Sequence, residues 1–413
     1  MSTLRRVILS KGISHAAVTK RKLTALVSAS LEFPDLPEVF PEANKAGQTS
    51  VTTLANGLTV VTEESSASST VSLTFPNGGS SSETVGEVGA ALANKCLAFK
   101  SGSSLSTALI LRNFEDDGAK PFALGGRTST TVGFTSSPDK AARLIPLLAT
   151  ECSFEKWDVR DALAASALEI DEASKNAQVV LTESLFGAAY GLQSSMGRPY
   201  YSSGATLGSI QSFRARAYGM NGAVLAATGV EDHSSFCAIV EDGLSEAASG
   251  ESSEVTEAYL GGGEARNHVG SMGVAQVALA FKAPASAAVA NVLKECLALN
   301  GASGTFTSGG LVGVYGSDVD ALCDALLQKP TEDTITRAKG LVKTKTILTA
   351  ENCSSYDLAM TLTSQVLDGS ADEVVNADVA AGYDAMLQSG LTMASIGNLN
   401  SVPYQGTVAS RFG

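Results

Sequence analysis

The chain has 413 residues, of which 44% are hydrophobic and 17% charged, a composition typical of globular proteins with room for two cores. Its formal net charge is −13 at pH 7, and because basic residues are concentrated before position 32, the rest of the chain is more acidic still. Such an acidic surface repels phosphate backbones, which argues against a nucleic-acid partner. No stretch of about 18 apolar residues is free of charge, so the sequence predicts no membrane-spanning helix.

The first 35 residues have the composition of a mitochondrial presequence followed by an extended lead-in. They contain six basic residues, and no acidic residue precedes Glu32. The six are Arg5, Arg6, Lys11, Lys20, Arg21 and Lys22. We expect cleavage between positions 15 and 35. A disordered basic tail is the alternative.

Strand and helix patterns mix along the first half, which predicts an α+β fold. Asn56-Gly57 separates two β-branched runs, at 50–54 and 58–62, and this is the strongest short signal for a hairpin. A third strand is expected at 70–75, and a pair of strands within 121–135. The spacing of apolar residues predicts helices at 88–100, 139–150, 155–173 and 177–190.

A low-complexity acidic segment at 243–257 divides the chain. Its serine, glycine and glutamate residues cannot bury enough apolar surface to order themselves, so we expect a linker between domains. The domain limits that follow are 45–242 and 258–413. The second domain opens with the glycine-rich stretch 259–266 and a strand at 274–281.

Three segments recur in the same order in both halves, which indicates an internal duplication. The first pair shares Cys-Leu-Ala within a helical pattern, and the other pairs share strand patterns. The pairs are 96–99 with 296–299, 132–136 with 312–317, and 221–229 with 389–397. We therefore predict two homologous domains, each a mostly antiparallel sheet with packed helices.

No motif in the chain predicts an active site. The histidines, at positions 15, 233 and 268, never stand four apart on a helix, and the six cysteines occur singly, so no pair of zinc ligands is available. The nucleophile elbow Gly-x-Ser-x-Gly and the phosphate-binding loop are absent. We expect the cysteines to be reduced core residues and His233 to cap a helix. The sequence therefore predicts no catalytic, cofactor-binding or metal-binding residues.

Two stretches resemble the N-terminal domain of the insulinase/pitrilysin metallopeptidases. They are residues 53–60 (Thr-Leu-Ala-Asn-Gly-Leu-Thr-Val) and the sequence that runs from Gly89 to Phe99-Lys100-Ser101-Gly102. The active helix of that family reads His-x-x-Glu-His-Met-Ala-Phe-Lys-Gly, and its Ala-Phe-Lys aligns with residues 98–100. The resemblance implies two similar α+β domains that enclose a cavity.

The resemblance also implies where the zinc site of the family would lie, and its residues are replaced here. The first ligand would be at Leu92, the general base at Lys95 and the second ligand at Cys96. The third ligand, a glutamate, would be Glu169 or Glu172. Leucine has no lone pair, and a lysine repels Zn²⁺ and cannot accept a proton as a carboxylate does. The resemblance therefore implies an inactive peptidase homologue without cofactor, in which the remaining glutamate is vestigial.

Within this family, four further stretches are most similar to the noncatalytic core subunits of mitochondrial respiratory complex III. They are residues 154–159, 259–266, 307–315 and 395–404. The resemblance implies a structural role on the matrix side of the inner membrane. The implied partners are a homologous core protein, cytochrome b, cytochrome c1 and the Rieske iron–sulfur subunit, with membrane association only through these subunits.

One departure from the family bears on the alternative hypotheses. Most relatives carry a glycine-rich loop in the second domain, whereas this chain passes directly from Asn300-Gly301 to Thr305-Phe306. The noncatalytic subunit of the mitochondrial processing peptidase uses that loop to capture presequences. Its absence disfavours this second hypothesis. An unrelated binding protein of α+β fold is the third.

Overall fold

The computed structural model describes residues 48–412, except for 65, 67, 101, 103–104, 150–153, 246–258, 271, 353 and 369–373. The expected presequence, most of the expected linker, Cys152 and Cys353 therefore lie outside the described residues. Within the described part of the chain, every helix falls short of the length or apolarity that a bilayer crossing requires.

The first half builds a six-stranded mixed sheet. Its strands are β1 (Thr49–Thr53), β2 (Thr59–Glu63), β3 (Ser69–Phe75), β4 (Lys120–Gly125), β5 (Thr130–Ser136) and β6 (Val224–Thr228). Their order is β1-β2-β6-β3-β5-β4, with β2 and β6 parallel and all other neighbours antiparallel. The predicted hairpin joins β1 to β2, and its Gly57 has φ 84°, a conformation that glycine adopts without strain.

Helices cover the first sheet and continue beyond it. The described helices of this half are α1 (Ala90–Cys96), α2 (Thr107–Asp116), α3 (Pro138–Leu144), α4 (Lys156–Lys175), α5 (Ala177–Tyr190), α6 (Leu207–Ala217) and α7 (His233–Gly243). The helix expected at 139–150 is divided, because Pro146 falls in a 3₁₀ turn, Ile145–Leu148, that follows α3.

The second half builds a five-stranded sheet. Its strands are β7 (Gly263–His268), β8 (Gln276–Lys282), β9 (Gly304–Ser308), β10 (Leu311–Gly316) and β11 (Thr392–Gly397). Its described helices are α8 (Ala287–Leu299), α9 (Val319–Leu327), α10 (Glu332–Asn352), α11 (Ser355–Asp368), α12 (Asn376–Gln388) and α13 (Gln405–Ala409). The strand order is β7-β11-β8-β10-β9.

The two sheets share one topology. The order β2-β6-β3-β5-β4 in the first half corresponds to β7-β11-β8-β10-β9 in the second. The pairs β2–β6 and β7–β11 are parallel, and the remaining neighbours in both sheets are antiparallel. Strand β1 and helix α2 are additions to the first half. The predicted fold class, α+β with two homologous domains, is confirmed.

Each half also covers a sheet face of the other. From the first half, α5 packs its Leu181, Leu185 and Phe186 against the second sheet, on Ala278 and Ile396 among others. From the second half, α11 packs against the first sheet. Its buried contacts are Ala359 and Leu362 on α11 with Val61, Val224 and Ala226 on β2 and β6. The two sheets are therefore completed by exchanged helices.

Candidate functional site

Helix α1 lies where the active helix of the family was expected, and a distant carboxylate holds its N-terminus. Gly89 precedes the helix with φ 83° and has no side chain to cap it. Instead, the buried Glu83 accepts hydrogen bonds from the backbone N–H groups of Gly89 (3.1 Å) and Ala91 (2.8 Å). Burial raises the pKa of Glu83 to about 7, because desolvation outweighs these hydrogen bonds and the nearby Arg198.

A second buried carboxylate, Glu87, fixes the approach to the same helix. It accepts hydrogen bonds from the backbone N–H of Thr84 (3.0 Å) and from Ser212 Oγ (2.8 Å), and it is paired with Arg216. Burial raises the pKa of Glu87, but these hydrogen bonds outweigh burial and lower it overall. Sequence reasoning missed the contacts with α6, because the partners lie 125 and 129 residues away in sequence.

The first ligand position of the family holds a leucine, which cannot bind zinc, and the second holds a cysteine. Leu92 is completely buried in an apolar cluster with Tyr200 and Phe213. Cys96 is half-buried and forms no disulfide. Burial raises the pKa of its thiol, which disfavours the thiolate that a metal requires.

The general-base position holds a lysine, and that lysine forms an ion pair. Lys95 Nζ lies 2.6 Å from Glu169 Oε1 on α4, and both side chains are only partly exposed. Cys96 Sγ lies 3.7 Å from the same carboxylate oxygen, and Ser166 Oγ donates to Cys96 Sγ at 3.5 Å. The structure thus places Glu169, and not the exposed Glu172, at the expected third position. Glu169 has Lys95 as its ion-pair partner, a pairing that the sequence did not predict.

The surroundings of this pair are polar. Tyr200 is 5% exposed, and its hydroxyl has no hydrogen-bond partner; a Cβ added at Gly125 would lie 2.1 Å from that hydroxyl oxygen. Further buried side-chain oxygens near α1 also lack a partner. They belong to Ser80, Ser82, Asn94 and Ser202. Burial raises the pKa of Tyr200, so the phenol stays neutral.

The residues at this site do not fit a zinc ion. Among the described residues, no three His, Cys, Asp or Glu side chains are grouped as a metal would need. The ammonium of Lys95 already neutralises Glu169, and a divalent cation would have to displace it. A protonated lysine cannot act as a general base either. The arrangement therefore packs α1 against α4 through an ion pair.

His233 does not cap a helix as the sequence suggested. Asp232 is the N-cap residue of α7, and its side chain accepts from the backbone N–H of Ser234. The His233 ring instead joins the first hairpin, with Nε2 2.8 Å from Thr52 Oγ1 and Nδ1 2.8 Å from Thr62 Oγ1. Burial lowers the pKa of this histidine. Its role is to attach β1 and β2 to α7.

In the second half, the position that corresponds to the active helix is α8. It ends at Leu299, and β9 begins at Gly304, so only a short turn separates them. Ser286 caps the helix locally by accepting from the backbone N–H of Val289. The buried Glu295 is paired with Lys345 on α10 at 2.6 Å.

This chain matches known proteins in sequence and in fold. Residues 59–200 match the insulinase family, peptidase family M16. The chain is 26% identical over 488 residues to the mitochondrial-processing peptidase subunit alpha of Solanum tuberosum, covering 98% of this chain and 96% of that protein. It is 25% identical over 458 residues to a probable alpha-2 subunit of the same peptidase from Arabidopsis thaliana, covering 91% and 88%.

The fold is similar to that of a chain of complex III from Candida albicans, determined with Inz-5 bound. The TM-score is 0.70 at 19% identity, over 88% of this chain and 99% of that chain. At this identity the likeness concerns the fold alone. The match at residues 59–200 bears out the predicted resemblance to the insulinase family over that segment.

Proposed function

We propose that this chain, a two-domain relative of the insulinase-family peptidases, is a noncatalytic structural subunit of mitochondrial complex III, equivalent to its second core protein. In this role it supports assembly and stability of the complex on the matrix side of the inner membrane. Its partners are the other core protein, cytochrome b, cytochrome c1 and the Rieske iron–sulfur subunit. It takes no part in electron transfer and carries no cofactor.

The observation that carries the noncatalytic role is the ion pair at the general-base position. Lys95 is bound to Glu169, and Leu92 is buried in an apolar cluster, so the two groups that would hold and use a metal are committed to packing. Without metal or base, peptide hydrolysis has no source of an activated water.

The alternative is the noncatalytic, substrate-recognition subunit of the mitochondrial processing peptidase. The plant relatives, which carry the name of its alpha subunit, favour it. The short turn between α8 and β9 opposes it, because the presequence-capturing loop of that subunit is expected there. The 488-residue alignment exceeds the 413 residues of this chain, so the potato protein contains segments that are missing here.

Native purification separates the two candidates. A core subunit should co-migrate with haem b and haem c, whereas a processing subunit should co-migrate with one zinc-bearing homologue and no haem. Depletion should give the same answer in a cell. Loss of the haem proteins with presequence cleavage intact supports the core subunit, and unprocessed precursors that accumulate before haem is lost support the processing peptidase.

The metal content tests the noncatalytic role by itself. We expect the chain, separated from its partners, to contain no stoichiometric zinc. Zinc at one equivalent, lost in Cys96→Ser, would contradict the proposal. This measurement stands apart from the assembly experiment, since either candidate subunit would lack zinc.

The presequence and the domain limits remain proposals. N-terminal sequencing of the mature chain should find a start between positions 15 and 35, and a mature chain that begins at Ser2 would refute the presequence. Limited proteolysis should cut first within 243–257. Because α5 and α11 are exchanged between the halves, the two fragments should stay together until denatured. A first cut within 130–200 would refute the boundary.

A further inference from the structure

The ion pair at α1 has a counterpart in the second half. Lys95 and Glu295 each stand immediately before the repeated Cys-Leu-Ala, at Cys96 and Cys296. Their partners also occupy equivalent positions, since Glu169 is the fourteenth residue of α4 and Lys345 the fourteenth of α10. The order of elements in the two sheets is the same around both helix pairs.

The two pairs have the same N–O distance and opposite polarity, and Glu295 also lies 3.8 Å from Lys294. Lys95 Nζ lies 2.6 Å from Glu169 Oε1, and Lys345 Nζ lies 2.6 Å from Glu295 Oε2. In the first half the cation is on the short helix, and in the second half it is on the long helix. The carboxylate of the second pair is the more buried of the two, at 7% exposure against 34%.

We infer that Lys95–Glu169 is the first half's copy of an ion pair that both halves of this fold contain. In each half the pair joins the helix that follows the second of the five corresponding strands in chain order (α1 or α8) to a later long helix (α4 or α10). It is therefore a structural clamp with an ammonium as its cation, and not the remnant of a metal site. The second half carries the argument, because α8 has the pair although nothing in the sequence assigns it a zinc motif. The inference deepens the proposed noncatalytic function but holds for either candidate subunit.

The opposite polarity of the two pairs predicts the effect of exchanging the charges within a pair. Two like charges 3–4 Å apart in a partly buried contact repel, whereas either order of opposite charges attracts. If the contact is a clamp, the polarity of one half should be accepted by the other. If a lysine is required at position 95 for another reason, exchanging the two charges should not restore the stability of the fold.

The test is a charge exchange in the full chain, followed by urea unfolding. Lys95→Glu and Glu169→Lys should each lower the folding equilibrium constant about tenfold, and the double variant should recover to within about threefold of wild type. Glu295→Lys with Lys345→Glu should show the same pattern in the second half. Glu172→Lys, an exposed site on the same helix as Glu169, is the matched control and should change little.

A blocked metal site would behave differently. The neutral variant Lys95→Gln, titrated with ZnCl₂, should show no zinc-dependent rise in its unfolding midpoint if the pair is a clamp. A rise that restores the wild-type midpoint and disappears when Cys96→Ser is added would overturn the inference. A double charge exchange no more stable than the worse single variant would overturn it as well. Neither outcome depends on which complex contains the chain.

Discussion

The interiors of the two halves differ, although their sheets have the same topology. Each half has one large cluster of buried apolar residues between its sheet and its helices. In the second half α8 belongs to that large cluster, whereas in the first half α1 lies outside it, between two small clusters around Leu92 and Leu97. All the buried side-chain oxygens that lack a partner in the described part of the chain lie in the first half.

The difference between the two interiors is located around α1, where the active site of the family was expected. The polar surroundings of α1 are those that a catalytic helix would need, with a remote carboxylate at its N-terminus and hydroxyl groups beside it. Leu92, Lys95 and Cys96 stand at the positions that the family resemblance assigns to the ligands and the general base, and these polar groups lie beside them. In the described part of the second half the buried side-chain oxygens have partners, and the equivalent helix α8 lies within the large apolar cluster. We therefore expect the second half to respond more strongly to loss of apolar contacts and the first half to loss of charge.

The largest effect should come from a matched pair of leucines. Leu97 and Leu297 follow the repeated cysteine in each half, and both are completely buried. We expect Leu297→Ala to lower the free energy of unfolding by about 4–5 kcal/mol and Leu97→Ala by about 2–3 kcal/mol. Leu297 lies in the large cluster, so its removal leaves a cavity that deprives more neighbouring side chains of a contact than removal of Leu97 from its small cluster does. Urea unfolding measures both. Equal losses would show that the small cluster around Leu97 packs as well as the large cluster around Leu297.

The next effect is a pH dependence confined to the first half. The pKa of Glu83 rises from 4.5 to about 7 on folding, so between these values the folded state takes up a proton that the unfolded state has released. The free energy of unfolding should therefore fall as pH rises from 4.5 to 7, by about 2–3 kcal/mol, and this contribution should be constant above pH 7. Glu83→Gln should flatten this slope.

Urea unfolding at a series of pH values provides the measurement for Glu83. Glu172→Gln is the control, because that carboxylate is exposed on α4. It should keep the wild-type slope. A Glu83→Gln variant that also keeps the slope would assign the pH dependence to another group.

The cap of the equivalent helix should behave in the opposite way. Ser286 holds the N-terminus of α8 with a neutral hydroxyl. Ser286→Ala should lower the free energy of unfolding by about 1 kcal/mol, and by the same amount at every pH between 4.5 and 7. A loss that varies with pH would mean that a charged group also supports this helix end.

The smallest effect concerns two buried tyrosines. Tyr383 in the second half donates to the backbone carbonyl of Leu326 at 2.7 Å, whereas the hydroxyl of Tyr200 has no partner. We expect Tyr383→Phe to lower the free energy of unfolding by about 1 kcal/mol and Tyr200→Phe to leave it unchanged or raise it slightly. Thermal unfolding of both variants checks this. A comparable loss in Tyr200→Phe would indicate an ordered water on its hydroxyl.

The sequence was sufficient for features that depend on neighbouring residues. Asn56-Gly57 located the first hairpin, and the helix expected at 177–190 has those limits in the structure. The repeat at Cys96 and Cys296 identified the duplication, because each copy keeps the same local pattern. Local signals of this kind determine strands, turns and helix faces.

The features that the sequence did not yield depend on contacts between distant residues. Glu83 could not be recognised as a cap, because it stands six and eight residues before the N–H groups that it binds, farther away than an N-cap residue. His233 was assigned to its own helix, although its ring binds two threonines that are 171 and 181 residues away. Family resemblance offered Glu169 or Glu172, and only the packing of α4 on α1 shows that Glu169 is the one that pairs with Lys95.

The exchange of helices between the halves has a consequence for biosynthesis. The face of the first sheet that contains Val61 and Ala226 is covered by α11, which begins at Ser355. A ribosome makes the chain from the N-terminus, so this apolar face, which is complete when β6 ends at Thr228, stays uncovered until α11 begins 127 residues later at Ser355. During that interval the nascent first half exposes a surface of the kind that chaperones bind and that aggregates. The synthesis of α11 thus determines when the apolar face of the first sheet can be buried.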